Sequence, residues 1–547
     1  MAGRFAISGQ LSGFADDGPI YLIMAQVFAG NAANDGVMTA AYAYRALPPG
    51  FPLLLSVLPG DVVINAHRLI VLELCAALVL LYGFYLHLCA RAWHAAVLLL
   101  IFCSLPGVWL ELLKIMAENQ YLLLSLAILL LSKRNNNDWR RQALIGLLLA
   151  ALILTRSIGI TLLAAYVIRL AFSRDRQLLA TRPLAALVIA LLLPITTWIL
   201  LRPDANVSYA RDLIQLLTMD SPIAAVQTNV RNMAIGAVSG WAHHFLLFWQ
   251  DNTSPNVLLV LALGLLAMVG WGLRWRELDA IYVACYGVVL MLWPYPEEAD
   301  RFIYPLLPLF LLYAYLALRR LTKKWRFANA PILILFGLSL ASSAPASSFL
   351  YLRYQSAYGE NAILRPMLVY YRDPSLFQAI RAAKGERYYM DLFRRLDFET
   401  LCPGTVLTLK PQLFTLLSGV YAENLPKALK TSADEYRDEI LKSGASCVLL
   451  TQIKDAVHPE GLSVENRLSP IGVPIREEWW TDTNERAFVL FRLRAARDGA
   501  GHRFSFIFRS PPRDAARVCE VIRANPTLQR LQRRGRVDSA KAIAVEK

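Results

Sequence analysis

The stretch PLAALVIALLLPITTWILL, residues 183–201, contains no charged side chain. An apolar run of this length matches the roughly 17–25 residues that an α-helix needs to cross a bilayer. The composition agrees, because 56% of the 547 residues are hydrophobic and only 18% are charged. A soluble domain is typically about 45–50% apolar and about 25% charged. The sequence therefore predicts a mainly α-helical, polytopic membrane protein with a soluble part attached.

Further apolar runs bring the prediction to about ten transmembrane helices, several of them short. The predicted spans are 66–90, 95–112, 117–132, 140–155, 157–173, 183–201, 255–274, 278–294, 302–318 and 328–345. Alternate short loops between them carry 16 Lys and Arg residues, whereas the other short loops carry only Lys114, Arg156 and Arg301. Positively charged loops stay on the cytoplasmic side. The second set of loops, the N-terminal segment and the region after the last span are therefore predicted to face outward.

Four parts of the chain follow from this topology. They are an outer first loop with an acidic motif and an amphipathic helix (1–65), a membrane domain (66–345) with a long outer loop (202–254), an outer, periplasmic α/β domain (346–494), and a basic C-terminal tail (495–547). The tail could touch anionic lipid or nucleic acid, or be a solvated terminus. We predict membrane lipids rather than nucleic acid as a partner of the chain.

The outer domain alternates helical and strand-like segments, which favours a small α/β fold. Helices are predicted over 376–385 and 433–444, and strands over 406–409, 446–451 and 488–494. A disulfide between Cys402 and Cys447 is possible only if this domain lies in an oxidising compartment.

Several common catalytic motifs are absent from the sequence. There is no phosphate-binding GxxxxGK[ST], no HExxH, no GxSxG and no GxGxxG. The adjacent His243 and His244 are weak evidence for a metal. No cofactor is predicted, and a divalent metal is not indicated. Any substrate would have to arrive already activated.

The acidic pair Asp16-Asp17 precedes Gly18-Pro19-Ile20-Tyr21 on the predicted outer side. Two carboxylates beside a membrane could provide a general base or a metal ligand. Asp17 could equally be the N-cap of a helix with Pro19 in its first turn. Both interpretations stay open at the level of sequence.

Three further motifs lie on the same predicted side. Glu118 begins a span, where an acidic group is costly and therefore a functional candidate or a polar helix start. Arg156, in LTRSIG, suits phosphate recognition or an interfacial position. Arg301, in the acidic stretch EEADRFIYPLLP (297–308), could hold an anion or pair with its neighbouring carboxylates.

Taken in order, the acidic pair, PPGFPLLL (48–55), AENQYLLL (117–124), LTRSIG (154–159) and RFIYPLLPL (301–309) resemble the GT-C glycosyltransferases. The nearest pattern is that of the protein-mannosyltransferase and aminoarabinose-transferase branch, which uses polyprenyl-phosphate-linked sugars. The resemblance covers about residues 14–345. Members of this family usually begin with a helix before the acidic loop, whereas this sequence starts almost inside that loop; a misplaced start or a truncation would explain the difference.

The resemblance implies that a sugar moves from a lipid phosphate to an acceptor hydroxyl of a lipid, protein or glycan on the outer face of the inner membrane. The family's catalytic acid matches Asp17, with Asp16 as the second candidate. Substrate-binding residues would include Tyr21, Glu118 and the two arginines, Arg156 and Arg301. A transporter or flippase of envelope precursors and a non-catalytic assembly protein are the alternatives.

Overall fold

The computed structural model describes a large part of the chain. The described residues are 17–31, 35–43, 47–133, 138–172, 181–201, 222–246, 255–293, 299–322, 329–343, 392–426, 432–451, 465–479 and 486–493. Asp16, the helix predicted over 376–385 and the basic tail lie outside them.

The N-terminal two thirds of the described chain are helical. The helices are α1 (Gly18–Phe28), α2 (Asp35–Ala43), α3 (Gly50–Ser56), α4 (Val62–Leu86), α5 (Ala92–Ser104), α6 (Pro106–Leu113), α7 (Glu118–Leu131), α8 (Trp139–Thr155), α9 (Ile160–Phe172), α10 (Thr181–Leu201), α11 (Pro222–Leu246), α12 (Pro255–Gly272), α13 (Leu278–Met291), α14 (Ala299–Ile303), α15 (Leu307–Leu321) and α16 (Ala330–Ser343). Short 3-10 turns connect α8 to α9 and α14 to α15. The helix α11 lies inside the segment that the sequence predicts as a long outer loop.

Within the described ranges, three helical segments are long and apolar enough to cross a membrane: Val62–Leu86, Arg182–Leu201 and Ala299–Leu321. A fourth joins α5 and α6 across a bend of 61°, where Pro106 follows Leu105. The remaining apolar helices are shorter. The prediction of about ten spans therefore stays a prediction.

The helices pack in pairs around one large apolar core. α8 lies along α10, α12 along α15, and α4 along α7. Many leucine side chains on the outer surfaces of these helices are exposed, for example on α10 and α12. Such a surface is suited to contact with lipid.

The C-terminal region contains a five-stranded mixed sheet. Its strands are β1 (Val406–Thr408), β2 (Ala422–Asn424), β3 (Cys447–Thr451), β4 (Gly472–Trp479) and β5 (Arg486–Leu493), in the order β2-β1-β3-β5-β4. β1 is parallel to β2 and β3, whereas β5 is antiparallel to β3 and β4. The helices of this region are α17 (Phe398–Leu401), α18 (Pro411–Ser418), α19 (Ala433–Lys442) and α20 (Glu465–Leu468).

The predicted strands near 406, 446 and 488 correspond to β1, β3 and β5. The helix predicted over 433–444 corresponds to α19, which a reciprocal capping box of Ser432 and Glu435 begins. Two strands were not predicted from the sequence. β2 has only three residues, and β4, GVPIREEW, contains a proline and three charged residues. A helix-and-sheet domain was therefore predicted correctly, but two edge strands were not.

The C-terminal domain packs directly on α1 and α2. α18 contacts both α1 and α2, and Leu416 and Tyr421 pack against a small cluster that includes Ile23 and Val37. The approach is close, because a Cβ at Gly36 would lie 2.1 Å from the carbonyl oxygen of Gly419. The helix that follows the acidic motif is therefore held between the membrane domain and the C-terminal domain.

A disulfide joins Cys402, at the end of α17, to Cys447, the first residue of β3. The two cysteines are 45 residues apart in the sequence. A cross-link of this span restricts the unfolded chain and typically stabilises a domain by about 2–4 kcal/mol.

We expect the double substitution Cys402→Ala and Cys447→Ala to lower the stability of the C-terminal domain by about 2–4 kcal/mol. Limited proteolysis of the purified protein would detect the lower stability as faster cleavage of the chain on the C-terminal side of β1. Cys75→Ala is the matched control, since Cys75 is a free and exposed cysteine. An unchanged cleavage rate in the double variant would show that the cross-link does not stabilise the domain.

Candidate active site

Asp17 directly precedes α1 and occupies its N-cap position. Its side chain makes no capping hydrogen bond, although Pro19 lies in the first turn as the sequence suggested. Instead, the Oδ2 atom lies 3.2 Å from Nη1 of Arg301. The carboxylate is about one quarter exposed, whereas the arginine is buried. The position of the residue is therefore that of a cap, but its charge is directed at a cation from another helix.

Arg156 is held at the end of α8. The chain is extended at this residue, which separates α8 from the following 3-10 turn. The guanidinium forms a buried ion pair and hydrogen bond with Glu118, the first residue of α7. Transfer of a single charged group from water into the protein interior costs several kcal/mol. Each of these two charged groups therefore requires the other.

Arg301 lies on the short helix α14, one residue before Phe302. The Phe302 ring lies beside both guanidinium groups, with its centroid 4.8 Å from Cζ of Arg156 and 5.3 Å from Cζ of Arg301. A cation over an aromatic face at such distances is attracted by the ring. This shared ring holds two like charges at one site.

These side chains line one cleft that opens to solvent. Its lining residues are Asp17, Tyr21, Leu47, Pro48, Arg156, Ser157, Ile158, Trp293, Arg301 and Phe302. The acidic loop, the proline-rich turn, the LTRSIG turn and the RFIYP helix therefore meet at one place. Glu118 does not line the cleft but supports it through Arg156.

Hydrogen bonds fix the elements that carry the arginines. The Tyr304 hydroxyl donates to Oδ1 of Asn119 over 2.6 Å, which joins the start of α7 to the turn after α14. The Tyr286 hydroxyl donates to the carbonyl of Phe302 over 2.8 Å. On the other side of α14, Nε2 of His244 lies 2.9 Å from the carbonyl oxygen of Asp300. The short helix is therefore tied to α7, α13 and α11.

Among the described residues, two guanidinium groups of the site face two carboxylates. The side chains of Glu118 and Arg156 are almost completely shielded from water. Burial alone would lower the pKa of Arg156, but the Glu118 carboxylate outweighs this and raises the pKa above its ordinary value. The cation therefore persists at every physiological pH.

Four of the predicted site residues, Asp17, Tyr21, Arg156 and Arg301, come together in the cleft. Tyr21 lies one turn into α1, and its ring packs edge-on against Phe51 at 5.5 Å between centroids. Glu118 is beside them. The second candidate base, Asp16, lies outside the described residues.

Phe302 and Trp293 line the cleft but were not predicted from the sequence as site residues. Phe302 stands inside a quoted motif, but no sequence pattern indicates which aromatic ring will contact two arginines. Trp293 follows α13 and packs its ring against Phe302 at 5.2 Å between centroids. The sequence left open whether Arg301 would hold an anion or pair with the carboxylates beside it in the chain; the structure adds a carboxylate from a different part of the chain, Asp17, at 3.2 Å.

Among the residues that the structure describes, no group of three or more His, Cys, Asp or Glu side chains could hold a metal ion. His243 and His244 lie on α11, and Nε2 of His243 is 3.9 Å from Oδ2 of Asp300. Neither histidine is among the residues that line the cleft.

We expect Glu118→Gln to destabilise the helical part of the protein by roughly 3–5 kcal/mol, because it leaves Arg156 buried without its carboxylate. The apparent melting temperature of the purified protein would report the loss. Glu478→Gln is the matched control, since its partners Arg395 and Arg476 are both largely exposed and such pairs contribute about 0–1 kcal/mol each. Equal shifts for the two variants would contradict the structural importance of the buried pair.

We expect Gly18→Ala to displace the start of α1, because a Cβ there would lie 2.7 Å from the carbonyl oxygen of Ile115. Overpacking of this kind typically costs about 1–3 kcal/mol. The melting temperature should fall, whereas the control Gly83→Ala should leave it unchanged or raise it, since no atom lies within 4 Å of the added methyl. A harmless Gly18→Ala would show that α1 is not tightly seated.

No protein-family model matches the chain, and no curated protein matches it in sequence. Among solved structures, the chain is similar to an Archaeoglobus fulgidus oligosaccharyltransferase, with 11% identity and a TM-score of 0.46 over 87% of this chain and 70% of that one. It is also similar to ArnT from Cupriavidus metallidurans bound to undecaprenyl phosphate, with 13% identity and a TM-score of 0.48 over 92% and 98% of the two chains. A third match is the arabinofuranosyltransferase AftD from Mycobacteria, with 15% identity and a TM-score of 0.43 over 90% of this chain and 40% of that one. These proteins are GT-C glycosyltransferases, and the likeness is one of fold.

Proposed function

We propose that the protein is an integral membrane glycosyltransferase that moves a sugar from a polyprenyl-phosphate donor to an acceptor hydroxyl. Asp17 acts as the general base, and Arg156 and Arg301 bind the phosphate. One observation carries the proposal. A partly exposed carboxylate and two buried guanidinium groups line the same cleft, with 3.2 Å between Asp17 and Arg301.

The residue types match the chemistry of this transfer. The acceptor oxygen attacks the anomeric carbon of the sugar, and the bond from that carbon to the phosphate oxygen breaks. The hydroxyl proton goes to the Asp17 carboxylate. A general base within hydrogen-bonding distance of the hydroxyl can accept such a proton. The electron pair stays on the phosphate, where fixed arginines stabilise the charge that develops. No nucleotide is consumed, because the phosphate is already a good leaving group.

The position of the cleft fits a donor whose tail lies in lipid. The cleft lies at the ends of α1, α8 and α14, and Ala299–Leu321 is apolar and long enough to cross a membrane. A polyprenyl chain could therefore remain in the bilayer while its phosphate reaches the arginines. This arrangement favours a membrane-surface enzyme over one that binds a soluble donor.

The outer face of the inner membrane is the proposed location of the cleft. The distribution of Lys and Arg among the loops supports this side. The Cys402–Cys447 disulfide supports it independently, because disulfides persist in oxidising compartments such as the periplasm. The C-terminal domain, which packs on α1 and α2, would share that side. The acceptor, whether lipid, protein or glycan, would approach from there.

The experiment that tests the function uses the full chain in nanodiscs. Radiolabelled undecaprenyl-phosphate sugars are supplied with a membrane acceptor extract, and the release of lipid phosphate is measured. We expect turnover by the wild type and a loss of about 10²–10⁴-fold for Asp17→Asn, which is the range for removal of a general base. Asp16→Asn should retain activity.

Asp61→Asn is the matched control for these variants. Asp61 caps α4 and does not line the cleft, and asparagine can keep the cap. Loss of turnover in Asp16→Asn alone would keep the enzyme class but move the base by one residue. No turnover of any donor by folded protein would contradict the proposal and favour a transporter or assembly role.

A further inference from the structure

The carboxylate beside Arg301 is that of Asp17, which is also the proposed general base. We propose that Asp17 and the donor phosphate compete for Arg301, and that proton transfer to Asp17 releases Arg301 to the leaving phosphate. The inference rests on the proposed function and adds a coupling between its base and its anion site.

The geometry makes Asp17 the partner that can be exchanged. The Arg301 side chain is 5% exposed and lies beside Phe302, whose carbonyl is held by Tyr286. The Asp17 side chain is 24% exposed and makes no capping hydrogen bond that would hold it in place. The carboxylate can therefore yield its place while the guanidinium stays.

Arg156 differs in this respect. Its partner Glu118 is 1% exposed, begins α7 and does not line the cleft. No ligand can reach the carboxylate to displace it, so Arg156 keeps the same partner throughout. The two arginines that contact one phenyl ring would therefore act differently. Arg156 provides a constant cation, and Arg301 provides one whose compensation depends on the charge of Asp17.

The charges balance at each stage of the transfer. A phosphodiester donor carries one negative charge, and a phosphate monoester carries about 1.5–2 at pH 7. As the sugar–phosphate bond breaks, its electron pair adds a charge to the phosphate. In the same step the acceptor proton neutralises Asp17. The negative charge thus moves from one side of Arg301 to the other, and the net charge of the site does not change.

This arrangement strengthens binding in the transition state rather than in the ground state. Before the reaction, the Asp17 carboxylate offsets part of the Arg301 charge, so the donor phosphate gains less from that cation. As charge develops on the phosphate and Asp17 takes up the proton, the attraction between Arg301 and the phosphate increases. Interactions that are stronger in the transition state than in the ground state are the ones that accelerate a reaction.

The coupling must be reciprocal, because binding free energies are linked. A neutral residue at position 17 should therefore tighten the binding of a phosphate monoester. Asp17→Asn imitates the protonated base in size and charge. Couplings between two sites typically correspond to 5–150-fold changes in affinity.

Farnesyl phosphate serves as the probe for the leaving group, and its binding to the full chain in nanodiscs is measured. We expect Asp17→Asn to lower Kd by at least about fivefold. Farnesol, which lacks the phosphate, should bind equally to both proteins. Asp61→Asn, the same charge change outside the cleft, should leave Kd unchanged. An unchanged or higher Kd in Asp17→Asn, or an equal gain for farnesol, would overturn the inference.

The double variant Asp17→Asn with Arg301→Gln assigns the gain to Arg301. We expect it to lose the gain and to bind as Arg301→Gln alone does. If glutamine prevents folding, Arg301→Lys should retain part of the gain, because it keeps the charge. A gain that persists fully with glutamine would overturn the inference. The readouts are distinct from turnover: active Asp17→Asn would refute the proposed function, whereas inactive Asp17→Asn without tighter binding would refute only the coupling.

Discussion

The buried ion pair between Glu118 and Arg156 is the interaction on which the cleft depends. Neither charge could be buried alone at an apolar helix end, so the start of α7 and the end of α8 must meet. The adjacent hydrogen bond from Tyr304 to Asn119 then joins α14 to the same place. Once these helix ends are in contact, Phe302 lies beside both guanidinium groups. The proposed anion site is therefore a consequence of how the helical part of the protein pairs its own buried charges.

The proposed base reaches this site from a different part of the chain. Asp17 is carried by α1, which packs against the membrane domain on one side and against α18 on the other. The position of the carboxylate thus depends in part on α18, which begins 394 residues after Asp17 in the sequence. This gives the Cys402–Cys447 cross-link an indirect influence on the cleft, because the disulfide holds α17 and β3 in the domain that supports α1.

The sequence indicated most of the residue types of the cleft but not their contacts. Asp17, Arg156 and Arg301 were predicted from separate motifs, since charged groups beside apolar runs are costly and therefore conspicuous. Helices with clear apolar runs and strands rich in valine and leucine were also predicted. The short or polar edge strands β2 and β4 were missed, as was the helix α11, because local periodicity is weak there. The contact of Asp17 with Arg301, and the role of Phe302, come from long-range packing that no local pattern contains.

In the proposed reaction, Arg156 and Arg301 have different roles although they are the same type of residue. A cation that is permanently compensated by a buried carboxylate provides shape and a constant field, but it cannot respond to the reaction. A cation whose carboxylate faces the substrate can respond, because the charge of that carboxylate changes when it accepts a proton. The placement of Glu118 behind the cleft and Asp17 within it creates this difference from identical guanidinium groups. In the proposed reaction, the exposure of the acidic partner therefore decides which guanidinium group binds the phosphate more strongly as charge develops on it.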